Sequence, residues 1–176
     1  RTLFDGILQQ LRARQFDQAI TACRDALLTF PEDINLLGLL GAALGDKGEL
    51  EEAEKILNQV IDLAPTFAKP YEDLGTLLLR QGRVDEALPL LEKAVRLDPK
   101  LDDAHFHLGR ALAMKGRGAE ADEAFERSFA LSPMRRLMAL AAEHHMAGRM
   151  KEAEQLCRQV LQKKPGHVDA LRMLGL

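Results

Sequence analysis

The sequence predicts an all-α protein built from stacked helical hairpins, and three periodic observations predict it. Pro31, Pro65, Pro99 and Pro133 follow one another at 34-residue steps, with Pro165 after a step of 32. Ala19, Ala53, Ala87 and Ala121 keep the same step, and Ala153 again follows at 32. Gly48, Gly82 and Gly116 are also 34 apart, with Gly148 at 32. Three residue types on one period mark the repetition of a single supersecondary unit. Composition agrees: Ala, Leu, Glu, Lys, Arg and Gln dominate, Trp is absent and Tyr71 stands alone. Those dominant types are the strong helix formers.

Each element of the unit has its own signal. The first helix reads Leu37-x-x-Leu40-Gly41-x-x-Leu44, Tyr71-x-x-Leu74-Gly75-x-x-Leu78 and His105-x-x-Leu108-Gly109-x-x-Leu112. Leu137-x-x-Leu140-Ala141-x-x-His144 follows the scheme, and Leu171-x-x-Leu174-Gly175 begins it again. This spacing puts one apolar stripe on a helix, and the small residue beside it lets a neighbouring helix approach closely. The turn falls at Gly48, Gly82, Gly116 and Gly148, where a helix end often requires positive φ. The second helix opens near acidic residues such as Glu49 and Asp85, favourable at a helix N-terminus. It continues through Ala19-x-x-x-Cys23, Ala53-x-x-x-Leu57, Ala87-x-x-x-Leu91, Ala121-x-x-x-Phe125 and Ala153-x-x-x-Cys157. Each Pro then ends that helix and starts the next unit. One hairpin cannot bury its own apolar faces, so neighbours must stack around a continuous core. Two irregularities carry expectations. The 32-residue step falls at residues 133–136 and predicts a tighter connection there, with a changed angle between repeats. Pro89, inside a second helix, predicts a mild kink rather than a break.

On these residues the chain resembles the tetratricopeptide repeat, whose 34-residue pattern is W-x₂-L-G-x₂-Y, then A-x₃-F, then P. The resemblance covers nearly the whole chain as one domain, residues 1–176. It comprises repeats 1–33, 34–67, 68–101, 102–133 and 134–167, with a partial repeat at 168–176. The aromatic consensus positions are mostly aliphatic here. The first repeat is the loosest, with Gly6-Ile7 where Leu-Gly is expected. The resemblance implies a right-handed α-solenoid, or superhelix, with the first helix of each pair on the concave side.

Little in the sequence points to chemistry of its own. The net charge is −3 and Lys and Arg alternate with Asp and Glu, whereas a nucleic-acid binder shows a basic face. The longest apolar stretch, residues 36–45, falls short of the ~20 residues a spanning helix needs. Nothing near Arg1 has the pattern of a leader, and two cysteines without an Asn-x-Ser/Thr site favour a reducing, cytoplasmic setting. Cys23 and Cys157 occupy equivalent core positions four repeats apart, too distant for a disulfide. Among the five histidines, His105 and His144 fall on apolar stripes, and no pairing has metal-ligand spacing. Gly116-x-Gly118-x-x-Ala121 imitates a dinucleotide fingerprint but follows a helix rather than a strand. The sequence therefore predicts no catalytic residue, no cofactor and no metal.

What remains is a binding face. The inward positions implied by the resemblance include Asn35, Gly38, Leu39, Ala42 and Asp46 in the second repeat and Lys69, Glu72, Asp73, Thr76 and Arg80 in the third. Phe106, His107, Arg110 and Met114 follow in the fourth, then Arg135, Met138 and Met146, and Arg172 with Met173 in the partial sixth. Met side chains adapt to varied partners, and the arginines can bond acidic groups. The reading is a soluble scaffold whose groove, stronger towards the C-terminal half, binds a peptide or helix of a partner protein. Some similar proteins grip chaperone C-termini through a carboxylate clamp; Phe4, Leu8, Gly38 and Ala42 stand at the matching positions, so no clamp is expected. Two alternatives accompany this reading. One is a non-catalytic region of a larger bacterial enzyme such as a transferase. The other is a homodimer through an uncapped apolar edge at Leu171 and Leu174.

Overall fold

In a computed structural model that describes residues 2–176, the chain is all-α, a succession of helix–turn–helix hairpins. The helices are α1 (Leu3–Arg12), α2 (Phe16–Leu27), α3 (Ile34–Lys47), α4 (Leu50–Leu63), α5 (Ala68–Arg80), α6 (Val84–Leu97), α7 (Asp102–Met114), α8 (Gly118–Leu131), α9 (Pro133–Met146), α10 (Met150–Lys163) and α11 (Val168–Met173). They fall into two compact units, Arg1–Ala124 and Phe125–Leu176.

The turn between paired helices is written in the backbone. Gly48, Gly82, Gly116 and Gly148 have φ of 99°, 75°, 73° and 74°. After each, the next amide reaches back to the carbonyl five residues earlier: Glu49 to Leu44, Arg83 to Leu78, Arg117 to Leu112 and Arg149 to His144, each at 2.9 Å. Gln15 bonds Gln10 in the same way at 2.9 Å, but there Arg14 (φ 57°) stands where the other repeats have glycine. A side chain at positive φ costs roughly 1–2 kcal/mol, partly offset by glycine's extra unfolded-state freedom. The Arg14 guanidinium lies 5.8 Å from the Phe16 ring centre, a contact worth about 0.5 kcal/mol. Arg14→Gly is therefore expected to raise stability by about 0.5 kcal/mol. A lowered denaturant midpoint would contradict this.

Helix starts are capped differently along the chain. Thr2 and Asp5 form a reciprocal capping box on α1, and Asp33 accepts from the amides of Asn35 (2.9 Å) and Leu36 (3.0 Å) on α3. Cation–carboxylate pairs link hairpins of the first unit: Lys47 Nζ to Asp17 (2.6 Å), Lys115 Nζ to Asp85 (2.6 Å) and Arg83 to Glu54 (2.6 Å). Such exposed pairs contribute little each.

The core of the first unit runs through Ile7, Ile20, Cys23, Leu36, Leu40, Leu44, Leu57, Leu74, Leu78 and Leu91. The small residues beside each stripe set the helix spacing. A Cβ on Gly41 would lie 2.9 Å from Leu57, and one on Gly75 would lie 2.7 Å from Leu91. In the second unit Ala141, Cys157, Val160 and Ala170 form a separate core, packed by Leu137, Met138, Leu156 and Met173.

Residues 133–136, where the sequence placed the tighter connection, instead form the first turn of α9. The shortened step leaves Ser132 as the whole connection between α8 and α9, against residues 64–67 between α4 and α5. Pro133 takes the first turn of α9, where its missing N–H is no loss. Pro89 lies within α6, which continues past it from Val84 to Leu97.

Candidate functional site

A cavity of about 660 Å³ opens in the first unit across the first helices of three consecutive repeats. Phe4 and Leu8 line it from α1, Asn35, Gly38, Leu39, Ala42, Gly45 and Asp46 from α3, and Lys69, Asp73, Thr76 and Arg80 from α5. Phe67, in the connection before α5, closes one side, and Leu57 and Leu77 form part of the floor. The void exists because α3 carries small residues at its inner positions. Gly38 and Ala42 stand one repeat before Glu72 and Thr76 and two before Phe106 and Arg110. A Cβ added at Gly38 would meet nothing within 4 Å.

The polar wall centres on Glu72. This residue, expected to face a partner, is only 3 % exposed. Its carboxylate pairs with the Lys69 ammonium and accepts from Thr76 Oγ1 at 3.1 Å. His107 Nε2 lies 3.7 Å from it, with the His107 side chain 16 % exposed. Helical spacing placed Glu72 on the inner face of α5, but there Lys69, Thr76 and His107 cover it. Asp73, one-fifth exposed, receives a 2.7 Å bond from Lys69 Nζ. Burial raises its carboxyl to about 6; Lys69 opposes the rise, while Glu72 and Asp103 add to it. Burial disfavours the Lys69 charge, but Asp73 and Glu72 outweigh that and hold its ammonium above the usual lysine value. At the far end of the cavity Arg80 and Asp46 approach to 3.7 Å.

Of the other groove candidates in this unit, Phe106 is half-buried and packs edge-on to His107, with ring centres 5.6 Å apart. Arg110 and Met114 are exposed. In the second unit Met138 packs against the core, Arg135 is half-buried, and Met146 is 82 % exposed. Arg172, also exposed, pairs with Asp169 at 3.2 Å. That unit has its own cavity of about 510 Å³, lined by His145, Met150, Glu154, Arg158, Leu161, Met173, Leu174 and Leu176. Ile34, Phe67 and Pro70 complete the first cavity without belonging to the repeat's inner stripe. A phenylalanine in a connection whose equivalents are Asp33 and Leu101 was the available signal.

Two histidines on the apolar stripes and both cysteines are occupied structurally. His105 Nε2 donates to the Pro99 carbonyl at 3.0 Å, as the Tyr71 hydroxyl, one repeat earlier, does to Pro65 at 3.0 Å. His144 Nδ1 accepts from Arg149 at 2.7 Å. Cys23 and Cys157 are buried free thiols; burial pushes Cys23 up to about 11, and it raises Cys157 too. Among the described residues, no group of His, Cys, Asp or Glu is disposed to hold a metal ion, and no helix is long and apolar enough to cross a membrane.

No curated protein sequence matches the chain, but solved structures do. A thermophilic TPR protein of Thermus thermophilus superimposes with a TM-score of 0.80 at 23 % identity, covering 98 % of this chain and 96 % of that one. A MamA structure matches with a TM-score of 0.63 at 25 % identity over 89 % of this chain and 93 % of the other. MamA from Desulfovibrio magneticus RS-1 gives 0.65 at 21 % identity, covering 94 % and 95 %. Two tetratricopeptide repeat family models match the sequence, over residues 34–100 and 72–133, together more than half of it. With its hairpins, turn glycines and close-approach positions on the same period, the chain belongs to the tetratricopeptide repeat superfamily.

Proposed function

We propose that the chain is a non-catalytic interaction module that takes up a peptide or helical segment of a partner protein in the first unit's cavity. The observation that carries this is a roughly 660 Å³ hollow with an apolar floor and charged ends. Its size and lining suit the insertion of anchoring side chains. Asp73 and Thr76 line the hollow, while Phe106, His107, Arg110 and Met114 extend the proposed surface along α7. In the second unit Arg135, Met138, Met146 and Arg172 are proposed as separate contacts. The module acts in a reducing, cytoplasmic setting, consistent with its two free thiols.

Gly38→Leu tests the reading. The new side chain enters open space, and α3 gains about 1 kcal/mol of helix propensity. The fold should therefore hold while the hollow fills. Peptides selected on the wild-type protein from a random display library are expected to bind this variant at least about tenfold more weakly. Selected peptides that bind both proteins equally would refute the cavity as the site.

A second reading, self-association, is favoured by Val168, 69 % exposed on α11; Leu171 and Leu174, where the sequence placed the edge, are half-buried, and Leu174 packs against the second unit's core. Light scattering is expected to show a dimer that Val168→Glu dissociates. A wild-type mass equal to one chain at all concentrations would dismiss it.

A further inference from the structure

We propose that the segment held in the first unit's cavity pairs an apolar anchor with a cationic side chain, which settles against Asp73. This rests on the cavity being the binding site and adds the chemistry of what enters it.

Two pairs of charged residues line the cavity. Asp46 and Arg80 offset one another at its far end. At the other end Lys69 serves two carboxylates at once, the buried Glu72 beneath the wall and Asp73 upon it. One ammonium between two carboxylates leaves one negative charge uncompensated. Glu72 is covered and also holds Thr76, so the surplus falls to Asp73, which faces the cavity and is one-fifth exposed. The groups facing this spot from α7 are Asp103 and His107; from α3 the cavity wall offers Asn35 nearby and Asp46 further off. An incoming carboxylate would meet like charge in a partly dehydrated setting, whereas an ammonium or guanidinium would relieve it. Burial first, and the neighbouring Glu72 and Asp103 charges after it, raise the Asp73 carboxyl against the pull of Lys69. Around it Leu39, Ala42, Phe67 and Leu77 supply the apolar surface for the anchor.

The experiment uses the whole chain and a random peptide display library, selected at neutral pH on the wild type and counter-screened on Gly38→Leu. Among clones that lose binding to Gly38→Leu, Lys or Arg beside an aromatic or aliphatic residue is expected in clear excess over Asp and Glu. Asp73→Asn leaves Lys69 paired with Glu72 and so keeps the wall intact, yet should weaken these clones about tenfold. On the wild type their affinity should fall from pH ~7.5 to pH ~5 as Asp73 takes up a proton. Cavity-dependent clones without an excess of basic residues, or with unchanged affinity for Asp73→Asn, would overturn the proposal. Clones indifferent to Gly38→Leu would instead remove the cavity reading beneath it.

Discussion

Leu91→Ala is expected to destabilise the protein by about 3–4 kcal/mol, the middle of the range for an emptied leucine site. Leu91 is fully buried in α6 and packs where Gly75 brings the α5 backbone close. The same pair yields a sharper result. A methyl at position 75 would sit 2.7 and 2.9 Å from Leu91 side-chain carbons and 3.4 Å from the Ala87 carbonyl oxygen. Overpacking of that kind costs about 1–3 kcal/mol, against about 1 kcal/mol gained in helix propensity. Gly75→Ala alone should therefore lose about 1 kcal/mol. Once Leu91 is alanine the obstruction is gone, and the added methyl enters a void. In that background Gly75→Ala should gain about 1 kcal/mol. Urea unfolding of the four proteins measures the cycle; the same sign in both backgrounds would disprove the close approach.

The second large effect lies in the polar wall. Lys69→Met keeps the length of the side chain but leaves Glu72, 4 % exposed at its side chain, without its cation. Stripping one partner from a fully buried pair costs about 3–5 kcal/mol. Because Lys69 is itself 45 % exposed, solvent screening lowers the expectation to about 2–3 kcal/mol. The loss should depend on pH with a definite sign. The Asp73 carboxyl titrates at about 6 in the folded chain, above its unfolded value near ~3.9. Its contribution to stability is thus fully present below pH ~4 and disappears as pH rises through about 6. Lys69 is the group that moderates this, so its removal should steepen the decline. Denaturation of wild type and variant should show the deficit greatest above pH ~7 and shrinking towards pH ~5. A deficit that grows on acidification would show that Lys69 does not serve these carboxylates.

The parts of the fold legible in the sequence were those fixed by periodic backbone requirements. Gly48 and Gly82 announced positive φ, and Gly41 and Gly75 announced close helix contact, because each has a geometric reason to recur at 34 residues. The pause in the period announced a shortened connection but placed it at residues 133–136; it is Ser132 alone, because Pro133 can open a helix without losing a hydrogen bond and α9 starts there. The candidate site was less legible because it does not recur. Its volume comes from what Gly38 and Ala42 lack, and an absent side chain leaves no mark until the surrounding helices enclose the space. The large residues Phe106 and Met138, which drew attention towards the C-terminal repeats, occupy space rather than create it. Glu72 shows the other gap. Its place on the helix was readable, but its burial depends on Thr76, Lys69 and the neighbouring His107 closing over it.

The five hairpin turns share one backbone bond, from the residue after the turn to the carbonyl five positions back, at the same 2.9 Å. No side chain takes part, so Gln15, Glu49, Arg83, Arg117 and Arg149 carry chemically matched amides spaced along the chain. Native-state deuterium uptake at those amides would serve as a row of calibrated gauges, each reporting the opening of its own hairpin. The order in which they exchange would give a direct record of where unravelling begins.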